Sequence, residues 1–190
     1  MGRIVISENV SLDGVVQDPS GDEGFRVGGW LGHIADYNEL AKAVLDEALG
    51  AEAWLLGRRS YEFFATRWQP RTGALADRLN SLPKYVVSST LRDPGWNNTS
   101  VLTGDVVSEA SKLREHVAGD IVVPASFQLL RTLIEHDLVD EIRLMVFPVV
   151  LGDGARLFGE TSDMKPLRLV ASRTIDDQIA SLTYQPARVA

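Results

Sequence analysis

The order of apolar and polar positions along the chain predicts that strands and helices alternate. Short β-branched or apolar runs indicate strands, and apolar residues three or four positions apart indicate helices. The predicted strands are Arg3–Ser7, Ala53–Leu56, Lys84–Ser88, Thr99–Leu102, Asp120–Val123 and Glu141–Val150. The predicted helices are Asp36–Leu49, a helix beginning at Ser60, Gly73–Asn80, Val107–Val117 and Ser126–His136. This alternation is typical of a mainly parallel sheet with helices on its faces.

The last part of the chain departs from the alternation. Leu167–Ile175 and Gln178–Gln185 have the pattern of two consecutive strands, with Asp176 and Asp177 as a two-residue turn. They predict an antiparallel hairpin at one edge of the sheet. Residues 17–32 are rich in Gly, Asp and Pro and predict a long loop, which in compact domains is often a lid over a site. Because no repeat or linker interrupts the pattern, we expect a single α/β domain over residues 1–190.

Composition and charge exclude several classes of function. The chain has 190 residues, a formal charge of −7 and no Lys/Arg run longer than Arg58-Arg59, so no nucleic-acid partner is expected. No apolar stretch reaches about 18 residues and no signal peptide begins the chain, so we expect a cytoplasmic protein without a membrane span. The absence of cysteine excludes thiol chemistry. The histidines His33, His116 and His136 are far apart, so no metal site is expected.

In open α/β sheets, ligands bind beyond the carboxyl ends of the strands. Four segments follow predicted strands: Ser11–Gly14, Gly57–Ser60, Ser88–Thr90 and Pro124–Ser126. Two of them, Gly57–Ser60 and Pro124–Ser126, lead into predicted helices, whose first N–H groups attract anions. The pair Arg58-Arg59 suits a phosphate-bearing ligand, the alternative being two solvated charges at a helix start. The usual dinucleotide and P-loop fingerprints are absent.

Four stretches, taken in order, resemble a known family. They are SLDG at 11–14, LLGRRSYE at 55–62, KYVVSST at 84–90 and LIEHDLVDEIRLMVFPVVLGDGARLF at 133–158. Over essentially the whole chain they resemble the RibD C-terminal family, the reductase domain of riboflavin biosynthesis, within the dihydrofolate-reductase-like superfamily. The resemblance implies a three-layer α/β fold with a mostly parallel central sheet, a C-terminal antiparallel hairpin and helices on both faces.

The resemblance also implies an activity, a cofactor and an assembly. Members of the family use NADPH to reduce a small heterocyclic substrate by hydride transfer, and many of them are homodimers. The 133–158 block favours the 5-amino-6-(5-phosphoribosylamino)uracil reductase of riboflavin biosynthesis over dihydrofolate reduction. The chain has no deaminase domain, so it could perform only the reductase half of that pathway step. Residues 147–150 are expected to form a dimer surface.

The site residues follow from the same resemblance. For the cofactor phosphates it implies the turn Gly57, Arg58, Arg59 and Ser60, the 2′-phosphate neighbours Ser88, Ser89 and Thr90, and the helix start at Ala125 and Ser126. Beside the substrate it implies Asp13 and Gly14, and Trp30 in the long loop could stack on a planar ring. Asp13 is the candidate carboxylate for binding the heterocycle or relaying a proton.

Several of these residues have a structural alternative. Asp13 and Gly14 could simply form a turn, Trp30 could belong to the core, and Asp36 is expected to cap the first helix. Relatives commonly have glycine where this chain has Pro124-Ala125. A Cβ at position 125 would crowd a phosphate, alanine adopts a positive φ only at a cost, and Pro124 lacks an N–H. The alternative function is therefore a catalytically silent member that binds a nucleotide or serves as an interaction protein.

Overall fold

A computed structural model describes residues 1–33 and 37–187. The described residues contain eight strands: β1 Arg3–Ser11, β2 Ala51–Gly57, β3 Lys84–Val87, β4 Thr99–Leu102, β5 Asp120–Pro124, β6 Glu141–Phe147, β7 Leu167–Ile175 and β8 Ile179–Pro186. They also contain five α-helices: α1 Asn38–Gly50, α2 Arg58–Trp68, α3 Ala74–Ser81, α4 Val106–His116 and α5 Phe127–Glu135. A short 3-10 helix covers Trp30–His33.

All eight strands belong to one sheet with the order β4-β3-β2-β5-β1-β6-β8-β7. Strands β1 to β6 are mutually parallel, whereas β8 is antiparallel to both β6 and β7. This arrangement confirms the predicted fold class, a mostly parallel sheet with an antiparallel C-terminal hairpin. Because they are parallel, β1, β2 and β3 end at the same edge of the sheet as β5. The loops that follow these strands therefore lie close together although they are distant in sequence.

Alternate residues of the central strands face opposite layers of helices. Ile4 and Ile6 of β1 pack in one apolar cluster with residues of α4 and α5. Val5 packs on the other face, in a cluster with residues of α1, α2 and α3. Because side chains alternate along a strand, this division places helices on both faces of the sheet and gives the three layers that were predicted.

Three predicted boundaries are wrong in ways that matter for the site. Strand β1 continues past Ser7 to Ser11, because its polar residues still pair with β6 along the whole run. Strand β6 ends at Phe147, since Pro148 has no N–H for the sheet. The hairpin has a three-residue loop, because Ile175 pairs with Ile179. Helix α1 begins at Asn38, and the capping role predicted for Asp36 lies outside the described residues.

No helix among the described residues is long and apolar enough to cross a membrane.

Candidate active site at the strand ends

Three of the four predicted segments meet at the carboxyl edge of the sheet. Arg58 Nη1 donates to Thr90 Oγ1 at 2.6 Å, which joins the turn after β2 to the turn after β3. Ser60 Oγ donates to the carbonyl oxygen of Ala125 at 2.7 Å, which joins the turn after β2 to the turn after β5. The turns after β2 and β5 line a cavity of about 380 Å³, within the size range of ligand pockets.

The first turns of α2 and α5 lie side by side at this cavity. The amide of Gly57 donates to Ser126 Oγ at 3.2 Å, and both residues line the cavity. Neither helix has a side chain that caps its N-terminus. Two uncapped helix starts leave N–H groups and two positive dipole ends directed at the same space, which is the arrangement that binds phosphate groups.

The turn that leads into α5 has the backbone conformation of a glycine. Ala125 has φ 49°, in the left-handed region that alanine adopts at a cost of about 1–2 kcal/mol. Its exposed side chain lines the cavity. Ala125 therefore has the left-handed backbone conformation that a glycine would adopt at this position. Its Cβ occupies space beside the two helix starts.

Ser126 is placed at the cavity, as predicted, but its side chain does not cap α5. It is 5% exposed, and its hydroxyl donates to the carbonyl oxygen of Pro124 at 3.0 Å. The same oxygen accepts the Gly57 amide. Because the hydroxyl is fully engaged, an anion at this helix would be bound by backbone N–H groups beyond Ser126.

The two arginines of the turn differ in their surroundings. Arg58 is held by Glu62, with Nε donating to Oε1 at 2.7 Å, and by Thr90. Arg59 is more exposed and contacts only the long loop, with Nη2 3.4 Å from Glu23 Oε2. Arg58 is therefore the more preorganised of the two, whereas the surface ion pair of Arg59 contributes little rigidity.

The turn after β3 lies outside the cavity wall. Ser88 is buried, and its hydroxyl oxygen accepts the amides of Thr90 and Leu91 at 3.2 and 3.0 Å. Ser89 and Thr90 are exposed. Of these predicted residues, Thr90 reaches the site through Arg58, and Ser88 shapes the turn. Direct binding of a ligand by Ser88 and Ser89 stays a prediction.

The long loop borders the cavity and is organised by Asp18, a residue that the sequence analysis did not single out. Asp18 is 3% exposed, and its carboxylate accepts the amides of Glu23 and Phe25 at 3.1 and 3.0 Å. A salt bridge of 2.7 Å between Arg67 and Asp22 ties the loop to α2. The loop is thus a folded wall of the cavity, lined by residues 17–20 and Glu23.

Glu8 is the main functional candidate that sequence reasoning missed. It is 6% exposed in the middle of β1 and lines the cavity. Burial raises the pKa of its carboxyl to about 8, although a hydrogen bond from the amide of Ser126 acts in the opposite direction. Among the described residues, no atom forms a hydrogen bond with its Oε1. The sequence does contain a signal for this residue. Glu8 falls at an alternate position of the strand that Ile4, Ile6 and Val10 otherwise fill with apolar side chains.

Asp13, the predicted substrate-side carboxylate, does not line the cavity. Its oxygens accept the hydroxyl of Ser11 at 2.7 Å and the amides of Leu151 and Gly152 at 3.1 and 2.8 Å. These hydrogen bonds, the one from Ser11 first, lower the pKa of Asp13 to about 2. Gly14 has φ 86° and donates its amide to the carbonyl oxygen of Ser11. The geometry favours the turn alternative for both residues, and Asp13 joins this turn to the loop after β6.

Trp30 and Phe147 are core residues. Trp30 is 1% exposed, and its Nε1 donates to the carbonyl oxygen of Gln17 at 2.9 Å. Its ring packs edge-on against Phe147, with 5.4 Å between centroids. An indole that is enclosed in this way presents no face to a ligand, so the stacking prediction for Trp30 is corrected in favour of its core alternative. Phe147, also 1% exposed, is likewise removed from the predicted dimer surface.

The fold and the site define a class. A solved dihydrofolate reductase from Enterococcus faecalis, complexed with NADP(H), matches with a TM-score of 0.63 and 16% identity over 97% of this chain and 96% of that one. A putative riboflavin biosynthesis protein from Shewanella sp. PV-4 matches with a TM-score of 0.76 and 20% identity over 98% and 99%. The molecule therefore has the dihydrofolate-reductase-like fold.

The family is narrower than the fold. The model of the RibD C-terminal domain matches residues 3–181, so the chain belongs to the RibD C-terminal domain family. This chain also matches a solved deaminase/5-amino-6-(5-phosphoribosylamino)uracil reductase from Thermotoga maritima, with a TM-score of 0.66 and 13% identity. The match covers 57% of that longer chain. "Uncharacterized protein YyaP" of Bacillus subtilis is 26% identical over 96% of this chain and 94% of its own. At this level the family and its structural neighbours are of the reductase type.

Proposed function

We propose that this protein is an NADPH-dependent reductase that transfers hydride to a small heterocyclic substrate. The observation that carries the proposal is the meeting of two uncapped helix N-termini, those of α2 and α5, at one cavity beside Arg58. Helix starts bind pyrophosphate, and a guanidinium binds a further phosphate through paired N–H donors. Membership in a reductase-type family supports the same reading.

The residues present fit such a cofactor. The backbone of the Gly57 turn and the α5 amides beyond Ser126 would hold the pyrophosphate, and Arg58, oriented by Thr90, would hold the 2′-phosphate. When bound, the nicotinamide supplies the hydride. The long loop and α2, tied to each other by the Arg67–Asp22 salt bridge, both line the cavity and would help to exclude water from the reacting ring.

The substrate would occupy the part of the cavity beside β1, which Glu8 and Asn9 both line. Val44 and Glu47 of α1 and Met145 of β6 line the same cavity. Apolar walls with a few polar groups are typical of sites for flat heterocycles. We assign the substrate to the class of pyrimidines and pterins, of which the ribosylaminouracil of riboflavin biosynthesis is one member.

The second candidate is a catalytically silent protein that binds nucleotides or partners without reducing them. Two observations favour it: the Cβ of Ala125 lies at the helix starts, and the amide of Ser126 is already used by Glu8. Both reduce the space and the donors available to a pyrophosphate. The two candidates differ in one measurable quantity, the affinity for NADPH.

Equilibrium titration with NADPH and with NADH separates the candidates. Trp54 and Trp68 line the cavity, so quenching of tryptophan fluorescence by energy transfer to the nicotinamide reports binding. The reductase proposal expects saturable binding of NADPH with a clear preference over NADH. The absence of NADPH binding up to millimolar concentration would favour the silent protein.

We also propose that the protein is a homodimer, formed through the face of β6, β8 and β7 that lies on the α5 side. Leu169 is 49% exposed on the edge strand and pairs with the half-buried Tyr184. Leu144 of β6 pairs with Leu182 of β8 on the same face. Partly exposed apolar side chains that continue from the core to the edge of the sheet support an interface between copies. Of the residues predicted for a dimer surface at 147–150, Phe147 is buried and Val150 is 67% exposed, and a dimer surface there stays a prediction.

A further inference from the structure

Glu8 occupies a position in β1 that its neighbours use for the core. Ile4, Ile6 and Val10 are on the same face of the strand and pack in the cluster that includes Leu129 and Leu130 of α5. Glu8 has the register of this row and is 6% exposed, yet it carries a carboxyl group. An apolar residue would meet the packing demands of this position, so folding does not explain the carboxyl.

The protein satisfies the Glu8 carboxyl only in part. The amide of Ser126, at the start of α5, donates one hydrogen bond to it. Atom Oε1 is buried and has no partner in the described structure. Buried polar atoms are nearly always paired, so a buried carboxyl with an unpaired oxygen at this position calls for a functional explanation. Since Glu8 is among the residues that line the cavity, its carboxyl group borders ligand space.

The neighbours of Glu8 leave it without a cationic partner. On β6 it is opposite Leu144, and on the neighbouring β5 the strand ends at Pro124. The first turn of α5 carries no acidic residue. The charged side chains that line the same cavity are Asp18, Glu23, Glu47, Arg58 and Arg59. Each of them has its own partner. Asp18 accepts the amides of Glu23 and Phe25, and Glu23 pairs with Arg59. Glu47 contacts Ser7 and Arg143, and Arg58 contacts Glu62 and Thr90.

Desolvation therefore dominates the ionisation of this group. Burial raises the pKa of Glu8 to about 8, so the carboxyl carries its proton at neutral pH. A neutral carboxyl has both an O–H donor and a carbonyl acceptor. The Ser126 amide already donates to the carbonyl oxygen of this carboxyl. The O–H group is therefore the part that remains for a hydrogen bond to a ligand in the cavity.

We propose that Glu8 is the acid that meets the substrate: its O–H donates a hydrogen bond to a ring nitrogen of the heterocycle and transfers the proton to that nitrogen during reduction. This inference rests on the proposed function. Hydride adds to the carbon of the C=N bond, the π electrons move to nitrogen, and the Glu8 proton completes the N–H bond. NADPH is oxidised to NADP⁺, and Glu8, left as a carboxylate, regains a proton from solvent through the cavity opening.

Infrared spectroscopy and binding to three variants test the inference without a known substrate. The probe is pterin, a neutral ring with C=N nitrogens, and NADPH is titrated in parallel. In Glu8→Gln the acid is replaced by an amide of the same shape, and in Glu8→Leu the polar group is removed and the apolar row is completed. Glu52→Gln, at an exposed position, is the matched control.

We expect an absorption band of a protonated carboxyl at pH 7 that Glu8→Gln removes, Glu52→Gln keeps and saturating pterin shifts. Glu8→Leu should weaken pterin binding at least tenfold without weakening NADPH binding, because it frees the Ser126 amide for the pyrophosphate. Absence of the band, a band that pterin does not move, or equal pterin affinity in wild type and Glu8→Leu would overturn the inference. Loss of NADPH binding in wild type would refute the proposed function instead, and the pterin result would still decide the role of Glu8 as a ligand contact.

Discussion

Arg58 Nη1 donates a 2.6 Å hydrogen bond to Oγ1 of Thr90 and thereby links the turns that follow β2 and β3. These two turns are 32 residues apart in sequence. The bond orients the guanidinium before any ligand arrives, which reduces the entropy that binding would otherwise cost. The two residues therefore form the best-defined part of the proposed 2′-phosphate site.

Arg58→Ala should erode the preference for NADPH over NADH. A hydrogen bond to a charged group contributes about 1.5–3 kcal/mol, so NADPH affinity should fall roughly 10- to 100-fold while NADH affinity stays nearly constant. Titration of both cofactors by tryptophan quenching measures the ratio. Arg173→Ala, on the exposed edge strand β7, is the matched loss of charge and should leave the ratio unchanged. An unchanged ratio in Arg58→Ala would remove this residue from the 2′-phosphate site.

Stability should depend on pH through Glu8. Its pKa in the folded protein is about 8, above the ordinary 4.5 of the unfolded chain. Between these values the folded state keeps a proton that the unfolded state releases, so the free energy of unfolding falls as pH rises through this window. The slope of this contribution approaches 1.4 kcal/mol per pH unit at full effect.

Denaturant unfolding of Glu8→Gln at pH 5 to 8.5 isolates this contribution. The variant lacks the titrating group, so its stability relative to wild type should increase steadily across the window and level off above pH 8. Glu52→Gln provides the comparison and should follow the wild-type curve. If the curves of wild type and Glu8→Gln run parallel, the Glu8 carboxyl is not held protonated by burial.

Ala125→Gly should relieve strain in the turn before α5. The left-handed conformation of Ala125 costs about 1–2 kcal/mol, and the greater freedom of glycine in the unfolded chain offsets about 0.4–1 kcal/mol of the relief. We expect a net gain between zero and about 1.6 kcal/mol in unfolding free energy, together with tighter binding of NADPH. Thermal and denaturant unfolding measure the gain.

Ala41→Gly, at an exposed position about one turn into α1, is the control for this substitution. There alanine is the favoured residue, and glycine should cost about 1 kcal/mol. The two variants should therefore change stability in opposite directions. A loss at position 125 similar to that at position 41 would show that the turn is not strained by its Cβ.

Leu169→Lys should dissociate the proposed homodimer. The side chain is 49% exposed on β7, and a charge there would be buried without a partner in an interface. Light scattering coupled to size exclusion should give the mass of a dimer for wild type and that of a monomer for the variant. Leu49→Lys, at a 58% exposed position of α1, should remain dimeric. A monomeric wild type would contradict the assigned interface.

The fold was accessible from the sequence because its signals are local and repeated. The β-branched run at the start of β1 and the apolar stripe of α5 at Leu129, Leu130 and Leu133 each need only a neighbouring sheet to be satisfied. Strand β1 was predicted too short because Glu8 and Asn9 look like the start of a loop. Both residues instead belong to the strand and line the cavity. Their polar side chains, which made the end of the strand look like a loop, are there because they face the site.

The site could be predicted only in part, because the sequence does not show which side chains form hydrogen bonds with each other. The Gly57–Ser60 turn could be placed by the strand–helix pattern around it. Asp13 was chosen as the substrate carboxylate, yet its partners Leu151 and Gly152 are 138 and 139 residues away in the chain. Only the folded structure shows that this carboxylate is used in a turn, whereas Glu8 has an unpartnered oxygen.

A crystal structure of the protein soaked with NADPH is the most direct test of the central claim. The account predicts electron density for the pyrophosphate between the first turns of α2 and α5, with the 2′-phosphate within hydrogen-bond distance of Arg58 and the nicotinamide inside the cavity that Glu8 lines. Density for the cofactor elsewhere on the surface, or an empty cavity at saturating NADPH, would contradict it.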